Sequence, residues 1–179
     1  MAEDARERIV RYLQDAHAAE VGIESALEGF VNDTDDMNIR QVFQDHLVMT
    51  RSQAHRIENR LRELGEVPSG GKGFMNNLMA KASEIMHGAH DEYDKNTQNL
   101  VKAYATEHLE RGMYEALHAY ALAVGDSQTA RLAQEIRMEE EQTAQMLFPM
   151  IAQYSQTAVA GTRGATGFGT TGTSGAYPM

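Results

Sequence analysis

No cysteine and no tryptophan occur among the 179 residues, and proline appears only three times, at positions 68, 149 and 178. The missing cysteine excludes disulfides, thiolate metal sites, iron–sulfur clusters and a cysteine nucleophile. Any bound metal must be held by oxygen and nitrogen donors. Cations are scarce as well, since 16 Lys plus Arg face 26 Asp plus Glu for a formal net charge of −10. Such a surface is poorly suited to tracking phosphate backbones or an anionic bilayer, which disfavours nucleic acid and membranes as partners. There is no run of 18 apolar residues, and the opening Met1-Ala-Glu-Asp-Ala-Arg carries mixed charge where a secretion signal would be apolar. The expectation is a cytoplasmic protein. What the chain does have is 42% hydrophobic residues in a length suited to one sizeable core.

With proline so rare, and most glycines confined to 65–73 or placed after residue 160, long stretches are free to be helical. Apolar or small residues at Ile9, Leu13, Ala16, Ile23, Leu27 and Phe30 form a stripe of helical period. The break at 32–36, Asn-Asp-Thr-Asp-Asp, is rich in N-cap formers and opens a second helix from about Asp35 to Leu64, ended by Gly65. Residues 65–73 read as a loop, followed by a shorter crossover helix over about 74–87. A third helix is expected from about Ala89 to Val124 and a fourth from the Gly125-Asp126-Ser127 break to about Tyr154, with Pro149 kinking its last turns. Two tight hairpins joined by one long crossover make an all-α, ferritin-like four-helix bundle with a short crossover helix between helices 2 and 3. The bundle occupies residues 1–155; residues 156–179 read as a flexible tail rich in Gly and Thr.

The informative residues are those that interrupt the apolar stripes, because a carboxylate in a bundle seam is costly unless it is paired or bound to a metal. Glu20 falls in the seam of helix 1, Glu107 and Glu110 one turn apart in that of helix 3, and Glu140 in that of helix 4. Helix 2 contributes His46, Thr50 and Gln53. Reflecting each hairpin about its turn puts Glu20 level with positions 46–48, Glu110 with Glu140, and Glu107 with Thr143. Carboxylates and an imidazole converging inside a bundle are the ligands of carboxylate-bridged di-iron or di-manganese centres. A solvated position is the ordinary fate of a single helical glutamate, and the run Glu139-Glu140-Glu141 places an acid inward in almost any register. His108, about 100° round from Glu107, is expected at or near the surface, as are His55 and Glu58. The many methionines read first as core fillers. Phosphate loops and nucleophile elbows have no support: Gly-Gly-Lys-Gly at 70–73 lacks the flanking strand.

The stretches Tyr12-Leu-Gln-Asp-Ala-His-Ala-Ala-Glu20, Phe43-x-x-His46-Leu-x-x-Thr50-x-x-Gln53, Glu107-His-Leu-Glu110-x-x-x-Tyr114 and Glu139-Glu140 together resemble the YciF-type bacterial ferritin-like proteins. The resemblance covers about residues 5–155. It implies a rubrerythrin-like bundle with an extra connecting helix, assembly into at least a dimer, and association with bacterial stress responses. Two positions depart from the family pattern: Met49 and Ala144 stand where relatives tend to carry acids. The remaining set, Glu20, His46, Glu107, Glu110 and Glu140, would suit Fe or Mn, as one or two ions, or would be a vestige of such a site.

Two functions compete at this point. In the first, the glutamates bridge Fe or Mn, His46 caps one ion, Tyr104 or Tyr114 lies nearby for electron transfer, and the protein handles peroxide or O₂. In the second, a non-catalytic structural protein assembles with copies of itself through its bundle surface and tail, with Phe168 and Tyr177 as anchors, and its metal site is degraded.

Overall fold

A computed structural model of the chain describes the backbone of residues 4–68, 80, 88, 89 and 91–165, with side chains as far as residue 160. Four long helices carry it: α1 (Ala5–Asp33), α2 (Met37–Glu63), α3 (Glu92–Val124) and α4 (Ser127–Ala165), with no strand among the described residues. The capping chemistry sets the boundaries. Asp36 opens α2 by accepting from the amides of Asn38 at 2.8 Å and Ile39 at 3.1 Å, and Asp91 opens α3 by accepting from that of Asp94 at 2.8 Å. Gly65 and Gly125 adopt φ of 77° and 78°, the left-handed conformation that glycine adopts without strain. Each lets the next amide reach back into the helix, Glu66 to the Leu61 carbonyl and Asp126 to the Ala121 carbonyl, both at 2.9 Å.

The fourth helix corrects the sequence reading. It runs through Pro149 and past Tyr154 to Ala165, ten residues into the segment expected to be a tail. Among those residues Gly161 and Gly164 are the only strong disfavouring signals, and a helix already nucleated over about eight turns extends at one hydrogen bond per added residue. The expected crossover helix at 74–87, apart from Ala80, and the anchors Phe168 and Tyr177 lie outside the described residues.

The packing fixes the topology. At one end, Ile9 and Leu13 of α1 meet Ile57 and Leu61 of α2, Leu117 and Ala121 of α3, and Ala133 and Ile136 of α4. At the other, Ile23 and Leu27 of α1 meet Ile39 and Phe43 of α2, Leu100 of α3 and Leu147 of α4. Hence α1 is antiparallel to α2 and α3 while α1 and α4 run the same way, which is ferritin-like connectivity. The amide of Asp35, in the first turn, donates to Glu92 at 3.1 Å, so α3 begins beside the α1–α2 turn. The end of α2 lies about 40 Å away, the length of a 27-residue helix.

That far end is clamped by Arg60. Its side chain is 10% exposed, and the guanidinium reaches both oxygens of Asp126 at 2.9 and 3.0 Å and donates to the Thr129 hydroxyl at 2.8 Å. Asp126 in turn caps α4 by accepting from the Thr129 amide at 3.0 Å. Burial pushes the Asp126 carboxyl up, but the two Thr129 bonds and Arg60 outweigh it and hold the group below its ordinary value. Asp126→Ala removes a cap and a partly buried ion pair together, so we expect a loss of about 2 kcal/mol and a melting temperature lower by about 4–8 °C. Thermal unfolding checks this, and adding Arg60→Ala to the variant should cost less than the sum of the single changes.

Candidate metal centre

Between the two apolar clusters the core turns polar at one level. The side chains there are Glu20 from α1, His46, Thr50 and Gln53 from α2, Thr106, Glu107 and Glu110 from α3, and Glu140 and Thr143 from α4, all buried. The apolar residues above and below force this placement. Leu13, Ala16 and Ile23 fix the face of α1 on which Glu20 sits, and Leu100, Ala103, Tyr114 and Leu117 do the same on α3 for Glu107 and Glu110.

The five candidate ligands are thus on one level. One donor atom each from His46, Glu107 and Glu140 lies within 4.8 Å of the others, and His46 Nε2 is 3.0 Å from Glu107 Oε1. Glu20 adjoins them and accepts a short hydrogen bond from the Tyr114 hydroxyl. Glu110 lies in the combined field of Glu20, Glu140 and Glu107. The Gln53 amide donates a short bond to Glu140 Oε1 and another, of 3.1 Å, to Glu139.

The neighbouring acids, ambiguous in sequence, separate cleanly. Glu139 is paired with Arg56, Glu140 points inward, and Glu141 is paired with Arg111. Sequence reasoning missed Arg56 and Arg111, whose positions one turn beyond Gln53 and Glu107 were the available signal. It also missed Thr106, a buried hydroxyl that donates to the Ala103 carbonyl at 2.6 Å. His108 lies toward the surface, its ring edge-on to Tyr104 at 4.5 Å, and Tyr104 also packs on Phe148. Of the two tyrosines considered, Tyr114 touches the cluster. Met49 is half-buried on α2, and its sulfur accepts from the Thr143 hydroxyl at 3.6 Å. Ala144 is buried.

Burial dominates the electrostatics. It pushes Glu107 up to about 7, offset in part by bonds from Glu140 and Thr106. It pushes Glu140 up to about 9, aided by the charge of Glu107. Glu20 and Glu110 are raised well above the ordinary carboxylate range, by burial first and then by the neighbouring carboxylates. His46 is lowered to about 4 by the same desolvation, so its imidazole is neutral at pH 7.

At this level six buried polar atoms have no hydrogen-bond partner of good geometry: Glu20 Oε2, both ring nitrogens of His46, both oxygens of Glu107, and Glu110 Oε1. Native interiors pair nearly all such atoms, and an ion is one of the few things that accounts for a convergent group of orphans. Hard carboxylate oxygens with one imidazole suit Fe and Mn. The donor set therefore fits the group expected from the sequence.

The profile of the family described as a domain of unknown function, DUF892, matches residues 4–160. The chain belongs to the DUF892 family. Solved structures agree on the bundle. The E. coli stress protein YciF superposes with a TM-score of 0.77 at 22% identity, covering 87% of this chain and 99% of that one. A protein from Xanthomonas campestris gives 0.73 at 22% identity, covering 89% and 99%. YcfI from Rhodopseudomonas palustris, suggested to be a structural protein, gives 0.73 at 25% identity, covering 81% and 93%. The YciF-type resemblance and the ferritin-like fold of this DUF892 chain thus stand. No described helix is long and apolar enough to cross a membrane.

The raised glutamates make the metal-free fold sensitive to base. A carboxyl with a folded pKa above its unfolded 4.5 stabilises below that value, and the gain is lost as pH rises through about 7 for Glu107 and about 9 for Glu140. His46, lowered from 6.5 to about 4, has the opposite sign, its contribution being lost as pH falls through that window. One imidazole does not offset four carboxyls. Denaturant unfolding of metal-free protein should show stability falling from about pH 6 to 9, by about 1.4 kcal/mol per pH unit for each extra proton the native cluster holds.

Proposed function

We propose that this chain is a cytoplasmic, ferritin-like metal-binding protein of the bacterial stress-response type, holding Fe or Mn at Glu20, His46, Glu107, Glu110 and Glu140. The six orphaned polar atoms at the middle of the bundle carry this reading. His46, Glu107 and Glu140 would hold one ion, and Glu20 with Glu110 offers the flank for a second, next to Glu107 and Glu140. A bound Fe or Mn ion would supply a redox-active Lewis acid for the handling of peroxide or O₂.

The chain's own residues prepare that site in three ways. Desolvation leaves His46 with a free lone pair at neutral pH, where a solvated histidine would be partly protonated. Gln53 fixes one oxygen of Glu140 and Tyr114 fixes one of Glu20, so each carboxylate keeps its other oxygen for the cluster. The apolar clusters above and below exclude bulk water.

The second reading, a self-assembling structural protein, draws on YcfI and on the large apolar side chains that α4 exposes at Met138, Met146 and Phe148. Self-association, as at least a dimer, is compatible with both readings. Metal content separates them. Protein purified without chelator should carry one to two Fe or Mn ions per chain by elemental analysis, and Glu107→Gln with Glu110→Gln should remove them. Added Mn(II) at about 100 times its dissociation constant should stabilise the wild type by about 2.7 kcal/mol. Equal metal content and equal shifts in wild type and variant favour the structural reading.

A further inference from the structure

The side of the metal centre between α2 and α4 is built differently from the others. The backbones of these two helices approach each other least closely of the four adjacent pairs, so long side chains span the seam between them. Across it, Gln53 meets Glu140 and, one turn along, Met49 meets Thr143. Met49 lies one turn from His46 on α2, and Thr143 one turn from Glu140 on α4. Since the helices are antiparallel, both steps lead to the same level, that of the cluster. A half-buried thioether thus stands in the wall of this seam, where every other group named at this level is a carboxylate, amide, hydroxyl or imidazole.

We propose that Met49 is an oxidation site of this protein, its thioether accepting one oxygen atom from hydrogen peroxide drawn to the adjoining carboxylate–imidazole cluster and becoming methionine sulfoxide. The inference rests on the metal-binding reading. In the step, a sulfur lone pair forms the new S–O bond as the O–O bond breaks. Sulfur is oxidised by two electrons, the peroxide is reduced by two, and the departing hydroxide leaves as water with the proton of the transferred OH. The local bonding suits both ends of this change. Thr143 has one hydroxyl hydrogen and two acceptors, Met49 Sδ at 3.6 Å and the Glu139 carbonyl at 3.2 Å, so the sulfur lone pairs are not permanently engaged. Afterwards the sulfoxide oxygen, a stronger acceptor than sulfur, can take the same hydroxyl. A polar product at this wall faces polar groups and disturbs neither apolar cluster.

Accessibility alone predicts a different order of oxidation. Met37 is 69% exposed, Met138 50% and Met146 44%, so free peroxide meets these before the half-buried Met49. The test follows from that contrast. Full-length protein, metal-free or loaded with Fe(II) alone, is given substoichiometric hydrogen peroxide and digested with trypsin. Met49 is the one methionine in fragment 41–51, and Met37 the one in fragment 12–40. The expected result is that iron-loaded protein gains oxygen on 41–51 ahead of 12–40, that metal-free protein shows the reverse order, and that Met49→Leu retains its iron but loses the early oxygen uptake. If iron is retained and 12–40 is still oxidised first, this inference is overturned and the metal reading stands. If no iron is retained in the loaded sample, both fall together.

Discussion

Desolvation of charge is the constraint on which this molecule turns. Four carboxyls and an imidazole are buried at one level of a bundle, between two clusters of aliphatic and aromatic side chains. Isolated ions there are costly by several kcal/mol each, and four like charges add repulsion to that. The structure shows two kinds of compensation, protons held above the ordinary carboxylate range and hydrogen bonds from Gln53 and Tyr114, and the proposed cation would be a third. The first two reach only some of the atoms, and six are left without a hydrogen bond of good geometry. A cation in the cluster would meet the carboxylate oxygens and one ring nitrogen of His46.

The rest of the architecture serves to hold that level in place. The two apolar clusters act as clamps above and below, and the ends of the bundle are locked by directional bonds: Asp36 and Glu92 at one turn, Arg60 and Asp126 at the other. These fix how far each helix can slide. A slip of one residue would rotate a glutamate about 100° out of the seam. Around the level, Arg56 and Arg111 draw Glu139 and Glu141 outward, which leaves Glu140 alone of the three facing in. Charge pairing at the edge of the core thereby decides which acid belongs to the site.

Much of this is readable from the sequence, for identifiable reasons. The stripes of α1 to α3 are long and regular, their breaks contain Asp N-caps and glycines that adopt positive φ, and such strong local signals leave one register. The inward glutamates follow from the same stripes. Less legible is whatever depends on a partner from another helix. The pairing of Arg56 with Glu139 and the meeting of Met49 with Thr143 are set by the α2–α4 register, which no local pattern encodes. Nor does composition mark the end of α4, because Gly161 and Gly164 argue for a stop near Tyr154 while the established helix carries on to Ala165. Local propensity is a weak prior against a helix already anchored by packing.

The central claim is that the polar level lowers the stability of the metal-free fold and is kept for the ion it binds. The most direct measurement is the unfolding free energy of metal-free Glu110→Gln against metal-free wild type at about pH 8. Glutamine keeps the shape and needs neither a buried charge nor a proton taken up against pH 8, so the account predicts a variant more stable than wild type by about 1–4 kcal/mol, the range seen when buried ion pairs give way to uncharged hydrophobic residues. A variant less stable than wild type in the absence of metal would show that the acids support the fold themselves, and would contradict the account.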